Sequence, residues 1–169
     1  VDGIACKYLL RDKTGLRTYF NEDGVIVLQK DAHDNKITYT YTDGIYFSKI
    51  TDSVGREIAF HYNNDDGEKT LSSVTVQGKA AGGGVSKKTI SYETEEKSYT
   101  PHHGDRLHGV ILTSATVDGS KEKYSYKTVE RLVNTSGAGV ASQRVSTNQS
   151  YLLNKITADG NETHYEYRA

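Results

Sequence analysis

The sequence predicts an all-β fold in which antiparallel β-hairpin repeats stack into one curved, twisted sheet. Three observations carry this. A 21-residue unit recurs along the chain, each unit alternates aromatic with polar side chains, and Asp and Gly residues mark a turn before each alternating run.

The repeat is clearest between Asp31–Tyr41 and Asp52–Tyr62. Asp31 matches Asp52, Ile37 matches Ile58, Tyr39 matches Phe60 and Tyr41 matches Tyr62, each at an offset of 21 residues. A second pair lies toward the C-terminus. Leu112, Asp118, Gly119, Tyr124 and Tyr126 match Leu153, Asp159, Gly160, Tyr165 and Tyr167 at an offset of 41, close to two units, with a degenerate unit around Val129 to Val145 between them.

Each unit opens with an apolar pair three residues apart: Val25 and Leu28, Phe47 and Ile50, Leu71 and Val74, Leu153 and Ile156. An Asp and then a Gly follow, with Asp34 in place of the Gly of Gly55. Asp hydrogen-bonds nearby backbone, and Gly accepts positive φ, so the pair predicts a turn. Seven residues beyond the Gly position stands the second aromatic of an aromatic-x-aromatic dyad. Between them Ile37, Tyr39 and Tyr41 alternate with Lys36, Thr38, Thr40 and Thr42, the period of a strand with one aromatic and one polar face. A lone hairpin is marginal in water, so the units are expected to stack edge to edge and align their tyrosines in ladders. Thr128 to Val133 fits a short helix or a strand equally well.

Composition supports this reading. Thirteen Tyr and 16 Gly accompany one Pro and no Trp or Met, a bias toward pleated strands and tight turns. A formal net charge of -1 from 21 basic and 22 acidic side chains argues against a nucleic-acid partner, which requires clustered Lys and Arg. Lys87-Lys88 reads as a solvated loop. The single Cys6 forms no internal disulfide, and no apolar run reaches the roughly 20 residues of a membrane helix. Val1 to Lys7 carries no signal-peptide pattern, and the chain reads as a fragment of something larger.

These residues resemble a known family. Tyr19 to Gly24 (Tyr-Phe-Asn-x-Asp-Gly), Ile37 to Tyr41 (Ile-Thr-Tyr-Thr-Tyr) and Lys49 to Arg56 (Lys-Ile-Thr-Asp-Ser-x-Gly-Arg) are similar to RHS/YD repeats. The resemblance is strongest over residues 17–76 and returns over 151–169. It divides the chain into repeats at 1–77, an insertion or long loop at 78–110 and degenerate then well-formed repeats at 111–169. It implies a spiralling β-sheet shell of the kind found in bacterial wall-associated proteins, polymorphic-toxin carriers, insecticidal toxin-complex cocoons and teneurins. A secreted or cell-surface bacterial scaffold that encloses or presents a toxin or adhesive element is the function so implied. Its partners would be flanking repeats of the parent chain and an encapsulated toxin domain. The family motifs are structural, and the autoproteolytic aspartate centre of some members has no match in this sequence.

No enzyme, cofactor or metal is therefore expected. Asp31, Tyr39, Tyr41, Asp52, Gly55, Phe60, Tyr62, Asp118, Gly119, Tyr124, Tyr126, Asp159, Gly160, Tyr165 and Tyr167 are read as structural repeat positions. The tyrosine dyads also suit a glycan platform, and a glycan- or protein-binding module using the sheet or the inserted loop is the alternative function. Their alternation with polar residues, and the absence of Trp, favour a packed ladder. His102, His103 and His108 with Asp105 offer metal donors, but in a Gly- and His-rich loop without rigid spacing. Asn63 to Glu68 superficially matches a calcium loop yet falls where a hairpin turn is due. No nucleophile-elbow or phosphate-cradling motif is present. The glycosylation sequons at Asn134, Asn148 and Asn161 are expected by chance in this composition. A sheet cut from a longer spiral exposes strand edges, which predicts edge-to-edge self-association.

Overall fold

A computed structural model describes residues 1–65, 68–80, 82–99, 107–135 and 144–167. Among them are twelve β-strands and no helix: β1 (Tyr8–Arg11), β2 (Arg17–Phe20), β3 (Ile26–Lys30), β4 (Lys36–Thr42), β5 (Tyr46–Asp52), β6 (Glu57–Asp65), β7 (Glu68–Lys79), β8 (Val85–Tyr99), β9 (Leu107–Val117), β10 (Ser120–Thr135), β11 (Arg144–Ala158) and β12 (Asn161–His164). They follow one another in strict chain order in a single open sheet. From β1 to β7, and again from β9 to β12, each strand pairs antiparallel with the next. The all-β reading holds, and Thr128 to Val133 lies within β10.

Most of the described turns fall into two kinds, the three-residue β4–β5 turn of Asp43, Gly44 and Ile45 fitting neither. In the first, the residue at position i donates its N–H to the carbonyl at i+4 and accepts from the amide at i+3. Asp12, Asn21, Asp31, Asp52 and Ala80 all do this. The fourth residue of each adopts positive φ: Gly15, Gly24, Asp34, Gly55 and Gly83. Where position i is Asp or Asn, its Oδ1 also accepts two amides, as Asp52 does from Val54 and Arg56 at 3.0 and 2.9 Å. This is why Asp-x-x-Gly recurs: the carboxylate satisfies donors that a turn leaves unpaired, and Gly enters the left-handed region without Cβ strain. In the second kind Asp118-Gly119 and Asp159-Gly160 alone link their strands, with Val117 opposite Ser120 and Ala158 opposite Asn161. Both residues have positive φ, 51° and 84° in the first pair, the requirement of a two-residue type I′ hairpin. The Asp of the 21-residue repeat and the Asp of the 41-residue repeat therefore do different work. What the two share is the last left-handed residue, seven before the second dyad aromatic.

β-Bulges recur on the second aromatic of the dyad. Tyr41 pairs with Phe47 while Thr40 pairs with Lys49, leaving Ser48 extra. Likewise Tyr62 pairs with Leu71, leaving Ser72 extra, and Tyr126 pairs with Leu153, leaving Asn154 extra. The bulge explains the apolar spacing of three. One inserted residue brings Phe47 and Ile50, three apart, onto the same face opposite Tyr41 and Tyr39. Val25 and Leu28 do not follow this rule and correct the expectation for the first unit. Val25 closes a turn, Ile26 takes the place opposite Phe20, and Leu28 lies opposite Tyr19 on the reverse face.

Two compact units, Val1–Ile90 and Ser91–Ala169, divide the chain within β8. The first has a small core of Tyr19, Val27 and Leu28, with Ile4 and Cys6 packed against it. Leu28 is fully buried. This core lies on the reverse face, beneath the N-terminal arm, whose Asp2 carboxylate pairs with Lys30 at 2.7 Å. The segment 78–110, read as an insertion or long loop, contains the 15-residue strand β8. It is entered through the Ala80–Gly84 turn, which has the same hydrogen bonds as the repeat turns. The rest of the segment, residues 81 and 100–106, lies outside the described residues.

Candidate functional site

The feature with the most chemistry on it is the aromatic face. In the first unit Tyr41 and Phe47 stack with ring centroids 4.8 Å apart, and Phe47 meets Phe60 at 5.8 Å and Tyr39 at 6.2 Å. Tyr46 meets Tyr62 edge-on at 5.4 Å. These offset contacts across β4, β5 and β6 are the expected ladder. The rings are half-buried, since they cover one side of a single sheet.

The hydroxyls of the second dyad position are committed to the backbone. Tyr41 donates to Ile26 O, Tyr126 to Leu112 O and Tyr167 to Leu153 O, each at 2.7 Å. Each bond reaches back to the preceding strand. Tyr39 donates to Gln29 Oε1 at 2.7 Å, and Tyr151 to Ser98 O at 3.1 Å. Burial raises the phenol pKa of Tyr39, Tyr41, Tyr62, Tyr124 and Tyr126, so these hydroxyls remain protonated donors well above neutral pH. Tyr62 breaks the series, with Lys69 beside its partner Tyr46. The last dyad, Tyr165 and Tyr167, lies beyond the end of β12 and is exposed at 41% and 58%. The Tyr165 amide still bonds Asn154 O, which carries the strand direction on.

The other predicted positions sort by turn. Asp31 and Asp52 accept turn amides, and Gly55 supplies the left-handed residue behind Asp52. Asp118, Gly119, Asp159 and Gly160 form the two-residue turns, and Asp159 also accepts from the Ser120 hydroxyl at 2.8 Å. The Asn35 side chain lowers the Asp31 pKa, helped by the His33 and Asn35 amides. Burial pushes Asp52 up, but the Arg56 and Val54 amides and the Arg56 guanidinium outweigh it and lower its pKa.

The polar face carries a cross-strand network that the repeat pattern does not announce. Glu93 on β8 accepts from Ser114 on β9 at 2.8 Å and from Lys121 on β10 at 2.7 Å. The Lys121 and Ser114 bonds hold the Glu93 pKa down. Ser114 is buried and its proton engaged by the carboxylate, so the trio is a strand-to-strand tie and not an exposed nucleophile.

One hollow of about 290 Å³ opens between the Asp31 and Asp52 turns, with Gln29, Asn35, Ile37 and Arg56 in its wall. Among the described residues no cluster of three or more His, Cys, Asp or Glu is poised to hold a metal. His102, His103 and Asp105, and the side chain of His108, lie outside the described residues. For Asn63 to Glu68 the strand register settles the local geometry. Asn63, Asn64 and Asp65 pair with Thr70, Lys69 and Glu68 between β6 and β7, while Asp66 and Gly67 lie outside the described residues. No helix is long and apolar enough to cross a membrane among the described residues. A scan against protein-family models and a search of curated proteins both find no match to this chain.

Proposed function

We propose that this chain is a structural segment of a large secreted or cell-surface bacterial protein of the RHS/YD type, forming part of a shell or scaffold around a toxin or adhesive element. The observation that carries the reading is the recurrent tyrosine-to-carbonyl bond of Tyr41, Tyr126 and Tyr167. A sugar-binding platform needs hydroxyls and ring faces free for its ligand. Here three of those hydroxyls each tie their strand to the one before it, and in the first unit the rings cover one another. The recurrent bond thus serves to extend a sheet from one strand to the next, which is what a shell requires. The sequence resemblance points to the same parent class.

The alternative, a glycan- or protein-binding module, draws on the hollow beside Gln29, Asn35 and Arg56. A glycan array followed by titration on intrinsic tyrosine fluorescence separates the two. The scaffold reading expects no saturable binding to any glycan. Saturable binding that Arg56→Ala abolishes, in a protein that keeps its wild-type unfolding midpoint, would sink it.

A further inference from the structure

We infer that Tyr46 and Tyr62 form a site of oxidative modification, where a one-electron oxidant joins the two rings by a carbon–carbon bond and locks β5 to β6. The inference stands on strand register and ring geometry and does not rest on the scaffold reading.

The strand interfaces alternate between long and short ladders. β4–β5, β6–β7 and β10–β11 each carry a bulge and run on past it. β3–β4, β5–β6, β9–β10 and β11–β12 keep only three or four pairs beside an Asp turn. Past the last pair of each short ladder the two strands form a seam, and the second dyad tyrosine stands over it.

Carrying each register three residues past its last pair gives the side chain that faces that tyrosine. From Leu28 and Thr38 it sets Val25 opposite Tyr41, from Ser114 and Lys123 it sets Ile111 opposite Tyr126, and from Lys155 and His164 it sets Leu152 opposite Tyr167. From Lys49 and Ala59 it sets Tyr46 opposite Tyr62. In three seams the facing side chain is therefore aliphatic, and the tyrosine hydroxyl reaches the next carbonyl along, that of Ile26, Leu112 or Leu153. In the β5–β6 seam it is a second phenol. Among the described residues Tyr62 makes no such bond to the corresponding Phe47 carbonyl. Its ring packs edge-on against Tyr46 instead, with centroids 5.4 Å apart and planes inclined at 66°.

This is the one contact between two tyrosine rings among the described residues. Tyr39 and Tyr41 stack on Phe47, which has no phenol to oxidise. Lys69 steadies the Tyr46 ring, its Nζ 5.5 Å from the centroid and its charge paired with the Asp43 carboxylate. Both rings are half-buried, so a small oxidant in solution reaches them.

Each phenol gives one electron to the oxidant and its hydroxyl proton to water, leaving a phenoxyl radical with spin on the carbons beside the C–O bond. One such carbon from each ring forms the new bond. The hydrogen that each carbon carried moves to the oxygen of its own ring and restores both phenols, so the product has lost two hydrogens and nothing else. A second ring already held in place makes the coupling intramolecular, which favours it over encounter with another chain. The bond bridges the seam beyond the last ladder pair and closes a loop across the Asp52 turn, removing freedom from the unfolded chain as a disulfide does.

Photolysis of the folded 169-residue chain at high dilution, with ruthenium tris-bipyridine as sensitiser and persulfate as electron acceptor, tests this. The expected product is a monomer lighter by two hydrogens, with dityrosine fluorescence, in which digestion finds the Tyr46 peptide joined to the Tyr62 peptide. Tyr46→Phe and Tyr62→Phe each keep a packing ring, and each is expected to abolish that product with an unchanged far-UV spectrum, while Tyr41→Phe leaves it. The joined monomer is expected to unfold at a higher urea concentration than the untreated chain. Photolysis in urea, where the rings are no longer held together, is expected to lose the selectivity. No joined monomer, links confined to other tyrosines, a product that survives Tyr46→Phe, the same selectivity from the unfolded chain or an unmoved urea midpoint would each overturn the proposal.

Discussion

The Tyr126 hydroxyl donates to the Leu112 carbonyl oxygen at 2.7 Å, and 41 residues later Tyr167 makes the same bond to Leu153 O. The donor is the second dyad aromatic in both cases. At Tyr126 the partner register is also broken by the extra residue Asn154. A bulge and a side-chain hydrogen bond thus meet at one position, which fixes where a strand bends and what it bends against.

Tyr126→Phe keeps the ring and removes only that bond. A net loss of about 1 kcal/mol is expected, the usual worth of a partly buried hydrogen bond. Tyr41→Phe should cost about the same, because its hydroxyl reaches Ile26 O in the same way. Tyr167→Phe should cost only a few tenths, since water reaches that site and replaces the lost donor. Urea unfolding of the three variants checks the order. Equal losses at Tyr126 and Tyr167 would show that exposure does not set the value.

The turn carboxylates give the protein an acid limit. Asp12, Asp31 and Asp52 all have lowered pKa values, through the Thr14 hydroxyl and Leu16 amide at Asp12, the Asn35 side chain at Asp31 and the Arg56 contacts at Asp52. A folded pKa below the unfolded value, about 3.9 for Asp, adds stability that is complete above that value. It is lost as pH falls through the folded pKa. Unfolding midpoints should therefore drop below about pH 4. Asn21 makes the same turn with a neutral side chain, accepting from the Asp23 and Val25 amides at 3.0 and 2.9 Å. The triple variant Asp12→Asn, Asp31→Asn, Asp52→Asn should accordingly fold and show a flatter acid limb. An unchanged pH profile would place the acid sensitivity elsewhere.

Backbone strain separates two glycines. At Gly55, φ is +81° and an added Cβ meets nothing within 4 Å, so crowding plays no part. Gly55→Ala is expected to cost about 1–2 kcal/mol through the left-handed conformation alone. Gly78, inside β7, has an ordinary φ, and its added Cβ would touch Arg56 Cγ at 3.6 Å. Gly78→Ala should be neutral or stabilising by up to about 1 kcal/mol, because it narrows the unfolded ensemble. Thermal unfolding of the pair tests both signs.

The turn rhythm and the dyads were legible because each answers to a residue type with one physical role: Asp for unpaired amides, Gly for positive φ, alternating aromatics for one face of a strand. The apolar spacing of three also carried the bulge, since residues that must share a face of a regular strand stand two apart. Leu28 was not legible as reverse-face core. It matches the spacing of Phe47 and Ile50 by way of Val25, but the first bulge falls at Val27, one residue later in the pattern than Ser48. Within 78–110 the acidic stretch around Tyr92 was strand-like in the sequence, but Lys87, Lys88, Glu95 and Glu96 leave the length of β8 without a continuous apolar face, and ties such as that of Glu93 to Lys121 hold it to its neighbours.

The buried cluster under the N-terminal arm gives the last test. Leu28 is the one fully buried apolar side chain among the described residues, and Ile4 and Cys6 close over its cluster from the arm. Leu28→Ala removes buried methyl groups and leaves a cavity that a two-layer arrangement refills only in part, so a loss of about 2–4 kcal/mol is expected. Ile37, 38% exposed on the aromatic face, should lose less than about 1.5 kcal/mol when cut to Ala, because much of its surface is already in water. The arm's share can be separated with Ile4→Ala, which opens the lid and leaves Leu28 in place. Its effect should fall between the other two, and Leu28→Ala and Ile4→Ala should be less than additive, since both act on one cavity. Full additivity in a double-mutant cycle would show that the arm rests on the sheet without sealing it.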